Sequence, residues 1–149
     1  MTEPRSAAQR KADTLAKLST PAVDVWVATT SGASAHLVPV SLAWLDERVV
    51  IAVAATSRTA RDLAASGTAR LGLGPTRDVV LIDAVLEATH DVPAAPAAIA
   101  GGYAAQADWD PRTDTGYRYF VLRPVRVQAW REANELAGRT LMRASSWLV

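Results

Sequence analysis

The chain has 149 residues, half of them hydrophobic and 21% charged, enough for one globular domain with a sizeable core, and no low-complexity linker divides it. Sixteen Lys and Arg stand against fifteen Asp and Glu for a formal charge of +1, which leaves no global field to draw the protein onto nucleic acid or an anionic membrane, so neither is an expected partner. Cysteine is absent and His36 and His90 are the only histidines, which excludes disulfides, thiolate metal sites and a cysteine nucleophile, and no metal is expected.

The N-terminal stretch MTEPRSAAQRKAD lacks the apolar core of a leader, and no apolar run approaches the roughly 20 residues of a membrane helix, so a cytoplasmic protein is expected. From Arg5 to Leu18, the spacing of Ala8, Ala12, Leu15 and Leu18 predicts an amphipathic helix, ended by Ser-Thr-Pro. The period then changes to two: Val23, Val25 and Val27 alternate with Asp24, Trp26 and Ala28, as in a half-buried strand. Next, HLVPVSLAWL sets Val38, Val40, Leu42 and Trp44 on one face and turns at Asp46-Glu47 into VVIAVAA, and the three runs together predict an antiparallel meander. Pro39 cannot donate to a ladder, which places its strand at an edge or a bulge.

Where that apolar run ends, the stretch AATSRTARDL predicts a short helix from about Ser57, terminated by a left-handed Gly67. Strands resume with ARLGLG and DVVLIDAVLEATHDV, separated by a turn at Pro75 to Asp78. The alanine-rich segment 93–106 is helical in part, WDPRTDTG is a loop, and GYRYFVLRP and VRVQAW are the closing strands, divided at Pro124. The tail from Arg131 predicts a helix, with Glu135, Arg139 and Arg143 at four-residue spacing on one face. About six strands with three short helices make a mainly β chain of the small-barrel type, a single domain over 1–149 with an N-terminal helix and a C-terminal tail.

The chemistry concentrates at the start of the second helix. A helix N-terminus carries unpaired N–H groups and partial positive charge. Thr56, Ser57 and Thr59 add hydroxyls there, and Arg58 and Arg61 add planar charged donors suited to phosphate oxygens. Two readings of the residues are open: an anion site, or a capped helix in which Arg61 pairs with Asp62 or a more distant carboxylate.

The order of elements (helix, meander, SRTARDL helix, two strands, helix, closing strands and a Trp-containing tail) resembles the pyridoxamine 5'-phosphate oxidase-like, FMN-binding split-barrel family, which includes flavin- and deazaflavin-dependent oxidoreductases. The likeness runs from about Pro21 to Trp130. It implies a six-stranded antiparallel split β-barrel, a homodimer with two cofactor sites across the interface, and FMN or a deazaflavin coenzyme as cofactor. Ser57, Arg58, Arg61 and Leu63 match the family's phosphate-holding pattern, with Thr59 where a lysine is typical and Asp62 where asparagine is frequent. By the same resemblance the backbone near Val40 and Ser41 borders the isoalloxazine ring. Thr56 is counted with the cofactor-binding residues, and Trp130 either stacks on the cofactor from across the dimer or is a plain core or interface tryptophan.

The activity so implied is hydride transfer between bound cofactor and a small organic substrate, with the alternative of a non-catalytic binding or storage protein for flavin, haem or a tetrapyrrole. No catalytic side chain is identified, and none is required where the cofactor carries the chemistry. Neither GxSxG nor GxGxxG occurs, against a serine hydrolase and a dinucleotide-binding Rossmann unit. Arg77-Asp78 is either a solvated turn or an extension of the pocket. Arg139 or Arg143 either forms an exposed ion pair or reaches an anionic cofactor tail or substrate. His36 reads as structural.

Overall fold

A computed structural model describes residues 2–149. Helix α1 (Ala7–Leu18) starts at Ser6, whose hydroxyl accepts the Gln9 amide at 3.1 Å. The face it buries is not the alanine stripe read from the sequence: Arg10, Thr14 and Leu18 turn inward, while Ala8 and Ala12 are exposed. The reason is a partner the helix itself does not reveal, because Arg10 Nη1 donates to the Glu135 carbonyl at 3.1 Å.

Strand β1 (Asp24–Ser31) buries Val25 and Val27 as its alternation requires, and pairs antiparallel with β2 (Ser34–Ser41), which is an outer strand of the sheet and so tolerates Pro39. The expected three-stranded meander does not form. The run HLVPVSLAWL divides at Leu42, and β3 (Ala43–Leu45) pairs with β4 (Arg48–Ala54) across a two-residue hairpin whose Asp46 and Glu47 both have positive φ. Helix α2 (Arg58–Ser66) ends at Gly67 (φ 68°), followed by β5 (Thr68–Leu73) and β6 (Val79–Asp91). Helix α3 (Ala97–Ala107) packs on β3, where a Cβ on Gly102 would meet a Leu45 methyl at 2.8 Å.

The two closing strands are one. β7 (Tyr117–Trp130) runs through Pro124 because the ladder to β6 shifts register there, leaving Val125 as an extra residue, and a bulge removes the need for the missing N–H. The expected tail helix is replaced by a 3₁₀ turn at Ala133–Glu135 and a hairpin of β8 (Thr140–Arg143) and β9 (Ser146–Trp147), turned by Ala144 and Ser145, both at positive φ. Ser145 N donates to the Val125 carbonyl at 2.9 Å and its hydroxyl to that of Pro124 at 2.8 Å, which locks the hairpin onto the bulge.

Among the described residues nine strands, not six, form one antiparallel sheet in the order β2-β1-β5-β6-β7-β4-β3, with β8 paired to β7 and β9 to β8. The two ends of that path, β2 and β3, are joined through Leu42 alone, so the sheet must curl until its edges meet at a residue that is itself fully buried. The interior holds Val27, Ile51, Leu63, Leu71, Ile82 and Phe120. A second cluster, with Tyr103, Tyr119 and Val50, lies under α3. β4 is covered on both faces by these two clusters, which explains its unbroken apolar run. No helix among the described residues is long and apolar enough to cross a membrane.

Candidate functional site

Ser57 precedes α2 with extended backbone (φ −69°, ψ 157°), and its Oγ accepts the Ala60 amide at 3.1 Å. That leaves the amides of Arg58 and Thr59 without an acceptor among the described residues, as at any open helix start. The arginines behave differently from one another. Arg58 lies back along β2, donating from Nη2 to the Ser34 carbonyl at 3.2 Å, with Nε 3.6 Å from Asp62 Oδ2. Arg61 is exposed, its amide donates to the Ser57 carbonyl at 3.1 Å, and its guanidinium has neither an ion pair nor a hydrogen bond among the described residues. Thr56, the residue before the cap, is exposed as well.

Asp62 does not face the same space. It is 1% exposed, and Oδ2 accepts the Thr29 hydroxyl at 2.9 Å. The carboxylate is thus held inward by the Thr29 hydroxyl with Arg58 as its charge partner, and Arg61 is left as the uncompensated cation of the helix start. Thr59 is also buried, so the family's lysine position carries no donor to solvent here.

Val40 and Ser41 stand at the far end of the outer strand β2, opposite Val25 and Asp24. They lie about 20 Å of extended strand from Ser34, where Arg58 docks. Trp130 is remote from both in a single chain. β7 begins beside Ala54, next to the start of α2, and reaches Trp130 only on the order of 40 Å of strand later. At that end the Trp130 ring carries the Arg139 guanidinium 5.4 Å from its centroid.

Three residues that the sequence reading spread over a strand and a helix converge there. Arg126, Arg139 and Arg143 line one cleft of about 460 Å³, with Gln128, Thr140 and Leu136. None of the three arginines has an ion-pair partner among the described residues, whereas Arg5, Arg48, Arg70, Arg77, Arg112, Arg118, Arg123 and Arg131 all do. Asp83, the cross-strand neighbour of Arg126, gives both carboxylate oxygens to Arg70 instead, at 2.6 and 3.3 Å. The signal for Arg126 lay in the alternation of VRVQAW, which puts it on one face with Gln128; nothing local joined them to Arg139 and Arg143.

Arg77 pairs with Glu132 at 2.6 Å, and Asp78 with Lys17 and Arg131 at 3.1 and 3.3 Å, so that turn is fastened to its own surroundings. Arg139 and Arg143 do not share a helical face with Glu135, which turns away to Arg5. His36 is half-buried in β2 opposite Thr29. The outer face of β2-β1-β5-β6 carries a second cleft, of about 490 Å³, lined in part by Ala28, Ala35, Arg70 and Val125. Beside it Trp26 and Leu37 are 52% and 59% exposed. Among the described residues no group of acidic or histidine side chains is arranged to hold a metal.

No family model and no curated protein matches the sequence. Solved structures do. An F420 reductase superposes with a TM-score of 0.62 at 15% identity over 75% of this chain and 93% of its own. A heme-binding protein from Mycobacterium smegmatis gives 0.62 at 20% identity, over 93% of this chain and 58% of its own. A pyridoxamine 5'-phosphate oxidase-like protein from Listeria innocua gives 0.62 at 12% identity, over 82% and 98%. The chain therefore has the antiparallel split-barrel fold of the pyridoxamine 5'-phosphate oxidase type, and at these identities the likeness is one of fold.

Proposed function

We propose that the protein is a flavin- or deazaflavin-dependent oxidoreductase that works as a homodimer, with FMN as the first candidate cofactor. The observation that carries this reading is the start of α2, where an unpaired Arg61, two amides without acceptors and the Thr56 and Ser57 hydroxyls meet on a fold shared with an F420 reductase. The donor set fits a phosphate: it offers charge and N–H groups, and the one nearby carboxylate, Asp62, is turned inward.

A flavin or deazaflavin supplies hydride transfer when bound. The chain's part is to hold and to shield. Arg61, Ser57 and the first amides of α2 bind the phosphate, and Arg58, bonded to the Ser34 carbonyl, ties that site to β2. The β2 edge near Val40 and Ser41, unpaired on its outer side, offers backbone groups to the ring. The arginine cleft beside Trp130 then takes an anionic group of substrate or cofactor brought to it across the dimer. A second copy packing on the outer face would cover Trp26 and Leu37 and bring the far end of one β7 toward the α2 of its partner. That packing is what a site divided between α2 and Trp130 requires.

Storage of a flavin, haem or tetrapyrrole is the second reading, favoured by the heme-binding structure that superposes on 93% of the chain. Fluorescence-quenching titrations with FMN and with a deazaflavin, followed by reduction of the bound cofactor and addition of an acceptor panel, test both. The oxidoreductase reading expects tight binding of one of them and catalytic reoxidation. Stoichiometric binding without turnover favours storage, and binding of neither rejects the cofactor reading.

A further inference from the structure

We propose that Arg5 and Glu135 are positioning residues that set the wall of the arginine cleft from outside it, an inference that rests on reading the cleft as an anion site. Glu135 is 2% exposed and its carboxylate gathers four donors: Arg5 N at 2.8 Å, Arg5 Nε at 3.0 Å, Arg5 Nη2 at 2.7 Å and Arg131 N at 2.8 Å. Its carbonyl takes a fifth from Arg10 Nη1. Arg5 in turn reaches Asp13 at 2.9 Å, so the latch closes back onto α1.

The segment this latch holds is the one that builds the cleft. It begins at Arg131, directly after Trp130, and ends at Gly138, directly before Arg139, and Leu136, Gly138 and Arg139 all line the cavity. Gly138 has φ 71°, which favours glycine, and lies beside α1, where an added Cβ would be in ordinary contact with Arg10 Nη2 at 3.6 Å. At the exit the Arg139 carbonyl is fixed by the Ala129 amide at 3.0 Å, and at the entry Arg131 and Glu132 pair with Asp78 and Arg77 at the surface, so Glu135 is the buried anchor between them. Glu135 touches none of the three cleft arginines, and so acts by fixing the loop that presents Arg139 over the Trp130 ring.

The test uses ¹⁵N-labelled full-length protein, with the Trp130 indole resonance assigned by its loss in Trp130→Phe, and inorganic pyrophosphate as the probe of the cleft. Arg5→Lys keeps the charge but cannot span both Glu135 oxygens and Asp13, and Glu135→Gln removes the acceptor charge. Both variants are expected to keep the far-UV circular dichroism of the native fold, to shift the Trp130 indole resonance, and to raise the pyrophosphate dissociation constant at least five-fold, as Arg139→Gln does directly. An unmoved Trp130 resonance in both variants, with loss of stability alone, overturns the inference. That resonance judges the latch even if pyrophosphate fails to bind the unmodified protein, a result that would instead remove the anion reading of the cleft.

Discussion

Asp62 and Arg61 are neighbours in sequence and opposites in role. Asp62 is held inside by the Thr29 hydroxyl, with the partly exposed Arg58 guanidinium 3.6 Å away, and deleting it strands a buried hydroxyl. Asp62→Ala is expected to lower stability by about 1–3 kcal/mol in urea denaturation, the usual cost of leaving a buried hydrogen-bonding group without its partner. Asp62→Asn, which keeps an acceptor for Thr29 and loosens Arg58, should cost less and tighten FMN binding several-fold in a quenching titration. At this scale the capped helix was legible and is present, and the anion site set out as its rival is what we propose for the residues the cap leaves over. Ser57 caps, Arg58 pairs inward and Arg61 stays free. Only the three-dimensional position of Thr29, 33 residues away, decides which way Asp62 turns.

Elements whose neighbours are close in sequence were legible, and those fastened by distant partners were not. β5 and β6 and the Gly67 stop of α2 follow from alternation and turn residues alone. The C-terminal hairpin turns on Ala144-Ser145 rather than the glycine or asparagine that usually marks such a turn, so the four-residue spacing of its arginines imitated a helix. α1 is seated by ions rather than by its alanines, and this has a pH signature. The Arg5 guanidinium and the amides around it hold the Glu135 carboxyl down at about 2, from an ordinary value near 4.5. A carboxyl depressed in the folded state adds stability that is present above its unfolded value and is lost as pH falls through the folded one. Stability is therefore expected to decline between about pH 4.5 and 2, by on the order of 3 kcal/mol from this group. Glu135→Gln should flatten that decline and lower the plateau at neutral pH, as read from urea midpoints at a series of pH values.

For the whole molecule, the curl of the sheet leaves one outer face with a cleft and two large exposed apolar side chains, Trp26 and Leu37, flanking Pro39 on the outer strand. Such a face suits a second copy better than water. Trp26→Asp combined with Leu37→Asp is expected to convert a dimer to a folded monomer by light scattering and, on the proposed division of the site between chains, to weaken FMN binding with it. A monomeric native protein would remove that part of the account. The expectation of a barrel came from the many short strands and turn signals, and the closure through Leu42 follows from β2 pairing with β1 while β3 pairs with β4, a choice no local pattern encodes.

The central claim is that the start of α2 grips a phosphate. The most direct measurement compares the affinity of the protein for FMN and for riboflavin, which lacks the phosphate, in the native protein and in Arg61→Ala. One charge-assisted hydrogen bond of about 1.5–3 kcal/mol corresponds to roughly ten- to a hundred-fold. The account predicts that FMN binds at least ten-fold more tightly than riboflavin and that Arg61→Ala removes most of the difference. Equal affinities for the two ligands, or a preference for FMN that Arg61→Ala leaves intact, would contradict it.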